Sequence, residues 1–205
     1  MTSKSRENQR IETVNRIQNS ALVMFAEHGL SISIAKIAQH AGLSKQALMY
    51  HYPSKSKLLE AVILDIEQSS FTALSQFFAL LLQQKTPQDT TKLEEIITQF
   101  VEQHLWAVLF LRLILENRES YLPISFRAHH LEIIEALEVR QRAGTIKQDI
   151  DVAATFTNMN TLLLTTLATA QIQTSISVAL DIEPAVWLKR RIFAIFVMYR
   201  STLFP

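Results

Sequence analysis

Residues 29 to 58, GLSISIAKIAQHAGLSKQALMYHYPSKSKL, leave the backbone few choices. Ser33 precedes the apolar-periodic run Ile34, Ile37, Ala38 and Ala41, and its side chain suits the N-cap of a helix. Gly42 offers the left-handed backbone that ends such a helix, and Leu43 can pack back across the turn. Ser44 then caps a second helix, in which Ala47, Leu48 and Tyr52 could line one side. Two helices linked by three or four residues make a helix-turn-helix, whose second helix fits a DNA major groove.

The rest of the chain reads as helix. Only three glycines and five prolines occur in 205 residues, with Leu, Ile and Ala abundant. Cysteine is absent, which excludes a disulfide framework and thiolate metal sites. The expectation is an all-α fold of about nine helices, a three-helix head over residues 1–53 and a helical bundle over 54–205. The first helix runs from about Glu7 to His28, with Ile11, Val14, Ile17, Ala21, Leu22 and Phe25 facing inward. The fourth begins near Ser54 and reaches about Gln84, before a break at Lys85–Asp89. Helices follow over about Thr91–Gln103 and Leu105–Asn117, then one opened by Pro123 and Ser125 that ends before Gly144. An eighth runs from Asp151 to about Ile172, and the ninth from Pro184 to about Leu203.

Charge is unevenly spread. Residues 1–57 hold eight Lys/Arg against three acids, net +5, while the remainder holds twelve against sixteen, net −4, within a total of +1. A basic N-terminal quarter suits phosphate neutralisation with counterion release, although charge alone fits a solvated arm equally well. From Val152 to Leu180 no charged residue occurs, long enough to raise a membrane span. The many Thr, Asn and Gln side chains in that stretch argue instead for a helix packed on protein. No basic, apolar export signal opens the sequence, and a cytoplasmic location without membrane insertion is expected.

FAEHG at 25–29 and the string IA-x-x-AGLSKQALMYHYPSK-x-x-LL from Ile37 resemble the N-terminal domain of TetR/AcrR-type transcriptional regulators over residues 10 to 60. Three departures stand out. The loop from Gly29 to Ile37 is about one residue short, Met49 stands where many members place tyrosine, and Tyr52 replaces a common phenylalanine. The resemblance implies that Lys55, Tyr50 and His51 act as backbone clamps. It also implies a dimer built from the last two long helices, with Leu162, Leu163, Thr166, Thr169, Ala170, Phe193, Phe196, Val197 and Arg200 as candidates; Phe193 and Phe196 could equally fill the monomer core.

Chemistry assigns the remaining roles in the head. Ser33 and Ser44 can donate to phosphates beside helix N-terminal amides. Lys45, Gln46 and Met49 project from the front of the second helix, beside Ala47. Lysine can donate to guanine, glutamine can pair with adenine, and methionine can touch a thymine methyl or pack under Tyr50. Two heads in a dimer would read a palindromic operator in double-stranded DNA.

A small-molecule effector would need an apolar pocket with a few polar groups. Candidates are His104, Trp106, Phe110, Arg112, Glu116, His129, His130, Met159 and Asn160. Arg112 lies within LWAVLFLRLIL and needs an anion, from a ligand or from Glu116 one turn on. No metal site or cofactor is indicated, since adjacent His129 and His130 lie about 100° apart on a helix. No GxSxG, P-loop or HExxH pattern occurs. Three classes remain: a ligand-released repressor, which is the favoured reading, a regulator without a small effector, and a helical enzyme or carrier with an incidental basic head.

Overall fold

A computed structural model of the chain describes residues 3–83, 90–102, 104–122, 124–170 and 174–204, with side chains except at 3–5 and 68–71. Ten α-helices and one 3-10 turn occur among them, with no strand. They are α1 (Ser3–His28), α2 (Ile34–His40), α3 (Lys45–His51), α4 (Lys55–Leu81), α5 (Thr91–Glu102), α6 (Leu105–Leu115), α7 (Ile124–Arg142), α8 (Val152–Ala168), α9 (Thr174–Ala179) and α10 (Pro184–Leu203). The 3-10 turn, Glu119–Tyr121, follows α6.

The tenth helix, α9, lies between the expected eighth helix, Asp151 to about Ile172, and the expected ninth from Pro184. Asp151 caps α8 by accepting from the Ala154 amide at 2.9 Å, but α8 ends at Ala168, with Thr169 as its C-cap. The separate helix α9 is closed by Asp181 at φ 54 and by the Ile182 amide donating to Ser177 O at 2.8 Å, a left-handed stop. The expected break at 85–89 and the expected Pro123 start lie outside the described residues. Among the described residues no helix is long and apolar enough to cross a membrane.

Packing divides the chain into two compact units. One comprises residues 1–67 together with 108–122, the other residues 68–107 together with 123–205. In the first, Ile17, Ala21 and Phe25 of α1 meet Ile37 and Ala38 of α2, Leu48 of α3, and Leu58 and Val62 of α4. Ile11, expected to face inward, is half exposed, because α1 extends beyond the helices that cover it. Leu109 and Leu113 of α6 belong to this same core, a partnership that periodicity alone does not suggest.

The second unit is built on α4, α5, α7, α8 and α10. Phe77 packs edge-on against Phe100 and Phe196 at 5.7 and 5.4 Å between ring centres. Arg200 of α10 donates to the carbonyls of Leu81 at 3.1 Å and Gln83 at 2.5 Å, closing the C-terminal end of α4. Its guanidinium also lies 5.2 Å from the centre of the Phe204 ring.

Candidate nucleic-acid interface

Each helix of the helix-turn-helix is started by a serine and stopped by backbone geometry, so short segments hold shape. Ser33 Oγ accepts from the Lys36 amide at 3.3 Å, and Ser44 Oγ from the Ala47 amide at 3.1 Å. Accepting leaves each hydroxyl proton free to donate, which is what a phosphate oxygen needs. Between the helices the Leu43 amide donates to Ala38 O at 2.8 Å and the Gly42 amide to Gln39 O at 3.0 Å, with Gly42 at φ 67. That six-to-one closure is the geometry in which Leu43 packs back onto the core.

The turn sets which face of α3 looks out. Leu48 is fully buried and anchors the helix, while Lys45, Gln46, Met49 and Tyr50 are exposed and Ala47 is half-buried. Tyr50 is 85% exposed, a large aromatic surface left in water on a seven-residue helix. Its ring meets His51 edge-on at 5.4 Å. Tyr52 packs against the core of the unit, and burial raises the pKa of its phenol, with Asp65 adding to the effect.

Lys55 is placed differently from a simple phosphate clamp. Its Nζ donates to Leu30 O at 2.7 Å and Ile32 O at 3.2 Å, holding the turn between α1 and α2. The same turn is held from α6. Arg112 donates from Nε to Ala26 O at 2.6 Å and from an Nη to Glu27 O at 3.0 Å, closing the end of α1. Glu116 Oε1 lies 3.5 Å from the Leu30 amide and 4.0 Å from Arg112. The turn backbone can approach this pair because Gly29 has no side chain; a Cβ there would lie 3.2 Å from Glu116 and 3.3 Å from Arg112. A cleft lined by His28, Ser31, Ser33 and Lys36 opens beside the start of α2. His28, Ser31 and Lys36 were not singled out from sequence; basic charge next to the Ser33 cap was the available signal.

The candidate effector residues separate. Phe110, Arg112 and Glu116 fall in the first unit, and His104, His129, Met159 and Asn160 in the second. Met159 is buried in the core, and His104 Nδ1 lies 3.0 Å from the carbonyl of Val101, three residues back at the end of α5. In the second unit α4, α7 and α8 bring polar groups together. His129 Nε2 lies 3.2 Å from Ser75 Oγ, and the Asn160 amide donates to His130 Nε2 at 2.9 Å. His130 stands between the rings of Phe126 and Phe156 at 4.7 and 5.3 Å. Burial lowers its pKa, opposed by a backbone bond at Phe126 and helped by His129. Ser75 and the pairing of His130 with Asn160 were not legible in the sequence.

The dimer candidates also sort by burial. Leu163, Thr166 and Phe196 are buried within the chain's own packing, Leu162, Thr169, Ala170 and Arg200 are half-buried, and Phe193 and Val197 are exposed. On α8 the exposed line is Thr157 and Thr161, continuing to half-buried Thr165 and Thr169. Each of these four hydroxyls donates to the carbonyl four residues back, at 2.6 to 2.9 Å. The stripe therefore could be covered without stranding a hydroxyl proton.

Residues 17–62 match the family of bacterial regulatory proteins called tetR. Over 60 residues the chain is 37% identical to the nucleoid occlusion factor SlmA of Marinomonas sp. (strain MWYL1), covering 29% of this chain and 30% of that protein. Over 75 residues it is 32% identical to the same factor from Aliivibrio fischeri (strain MJ11), covering 37% and 35%. The match thus spans about a third of the length of these curated relatives. Along nearly the whole chain the fold is similar to a transcriptional regulator of Streptomyces coelicolor, with TM-score 0.64, 19% identity and coverage of 93% and 98%. It is also similar to the fatty acid degradation regulator FadR of Bacillus halodurans, with TM-score 0.60, 15% identity and coverage of 89% and 94%. At those identities the likeness is one of fold.

Proposed function

We propose, for a chain of the TetR regulator type in both its N-terminal domain and its fold, that it is a dimeric, sequence-specific DNA-binding repressor released from its operator by a small molecule. DNA binding is assigned to residues 1–53, and effector binding and dimerisation to 54–205, with residues 108–122 supporting the head by packing. The observation that carries the reading is the outer face of α3. Lys45, Gln46, Met49 and the 85% exposed Tyr50 stand opposite a fully buried Leu48. A helix gains nothing from presenting an aromatic ring and a thioether to water, whereas DNA gives both a partner, thymine methyls for Met49 and the sugar-phosphate backbone for Tyr50. His28 and Lys36 join Ser33, Ser44, Tyr50 and His51 as proposed contacts to the DNA backbone.

The effector face is proposed at Ser75, His129, His130 and Asn160, where α4, α7 and α8 supply hydrogen-bonding groups beside aromatic rings. The dimer face is proposed along Thr157, Thr161 and Thr165 of α8 with Phe193 and Val197 of α10. Footprinting on DNA flanking the chain's own gene tests the main reading. A protected palindrome, lost when Gln46 and Tyr50 are replaced by Ala, is the expected outcome; binding that is equal on scrambled DNA would sink it.

A second reading rests on the curated relatives, which match 60 to 75 residues of this chain. DNA binding could serve nucleoid occlusion, as the name of those relatives states, and not transcription. A genome-wide binding profile separates the two: one or a few promoter sites support repression, and many dispersed sites away from promoters support the alternative.

A further inference from the structure

The N-terminal unit contains a cavity of about 330 Å³ that the proposed DNA and effector contacts do not explain. Its apolar wall is the edge of Leu30 and Leu59, with the buried Phe25 behind them, and its polar rim is Lys55, Glu116, Arg118 and Tyr121. We propose that it binds a small carboxylate carrying an apolar body about the size of one ring. The volume sits at the lower end of small-molecule sites, roughly 300 to 1,000 Å³.

The charge argument turns on which groups are already engaged. Lys55 uses two of its three N–H groups on Leu30 O and Ile32 O, leaving one to donate. Glu116, the acid of the rim, has its Oε1 3.5 Å from the Leu30 amide and 4.0 Å from Arg112, which screen part of its charge from the two cations of the rim. Arg118 has an exposed guanidinium with no hydrogen bond or ion pair among the described residues. Its backbone is fixed by the turn that ends α6, where Asn117 adopts φ 53 and the Arg118 amide donates to Leu113 O at 2.7 Å. An arginine fork held beside an apolar wall fits a carboxylate with a hydrocarbon body. Tyr121 donates to Ser56 Oγ at 3.2 Å, which leaves the Ser56 proton as a further donor. The neighbouring Ser31 hydroxyl lines the same cavity. A ligand held there would tie the turn after α6 to the turn between α1 and α2.

The test is titration of the full-length ¹⁵N-labelled protein with sodium benzoate at constant ionic strength, with neutral benzamide as the matched control. The expected result is saturable shifts at the amides of Ser31, Ser56 and Tyr121, and binding of benzamide weaker by roughly tenfold. Arg118→Gln is expected to weaken benzoate by a similar factor and Arg118→Lys by less. Arg127→Gln, which removes an exposed arginine of α7 outside the cavity, should change nothing. Equal binding by Arg118→Gln, equal binding of benzamide, or no saturable binding would overturn the proposal. Shifts confined to Ser75, His129 and Asn160 would also overturn it, while leaving the effector reading standing; DNA binding is scored separately.

Discussion

Arg112 donates from Nε to the carbonyl of Ala26 at 2.6 Å, joining two residues 86 positions apart in sequence. With its second bond to Glu27 O, it places a cation at the C-terminal end of α1, where unpaired carbonyls and the helix dipole both favour one. Replacing Arg112 by Ala is expected to lower the unfolding free energy by about 1–3 kcal/mol, the range for charge-assisted bonds to partly exposed groups. Arg112→Lys should recover less than half, because a single ammonium cannot reproduce the two-armed fork. Urea unfolding of the three proteins checks this, and an Ala variant as stable as the parent would remove the role.

Gly29 and Gly42 both have positive φ, at 84 and 67, but differ in surroundings. A Cβ at Gly42 would meet nothing within 4 Å, whereas one at Gly29 meets Glu116 and Arg112. Gly42→Ala should therefore cost only the left-handed backbone penalty, about 1–2 kcal/mol. Gly29→Ala should cost more, since the pair that holds the turn must also shift. Paired thermal melts would show the order, and equal losses would indicate that the side chains give way freely.

Lys55 separates two ways of helping DNA binding. A phosphate contact predicts that Lys55→Met lowers the salt dependence of binding by about one unit of slope. With its ammonium engaged on Leu30 O and Ile32 O, the expectation is weaker binding at every salt concentration with the slope unchanged. Affinities measured across a salt series decide between them.

His130 should make the fold weaken in acid. Burial lowers its pKa below the ordinary 6.5, so the folded state favours the neutral ring. Above pH 6.5 both states are neutral and nothing is lost. As pH falls below 6.5 towards the lowered folded value, the unfolded chain takes up the proton first and stability declines. The melting temperature is expected to drop between pH 7 and pH 5.5 in the parent, and to drop less in His130→Gln, which keeps an acceptor for Asn160 without titrating.

The α8 and α10 surfaces give a clean test of association. Val197→Glu and Thr161→Lys alter exposed positions, so the protomer should stay folded while the sedimenting mass halves. Phe196→Ala differs: that ring is buried against Phe77, and its loss should cost about 3–5 kcal/mol of stability. A dimer that persists in both exposed variants would remove this face from the interface.

What the sequence alone determined is local. The serine caps, the Gly42 turn and the alternation that buries Leu48 and exposes Lys45, Gln46 and Met49 depend on residues within one or two turns of each other, and periodicity reads them directly. Spacing also suggested the neighbourhood of Arg112 and Glu116, four apart on one helix. Tertiary structure decided what those charges serve. Arg112 closes α1, Arg200 closes α4 and Lys55 holds the turn after α1, because a helix end presents carbonyls that any nearby cation can satisfy. Which cation arrives depends on how distant segments pack, and that packing energy is spread over buried side chains such as Phe25, Leu109 and Leu113 whose pairing no local pattern specifies.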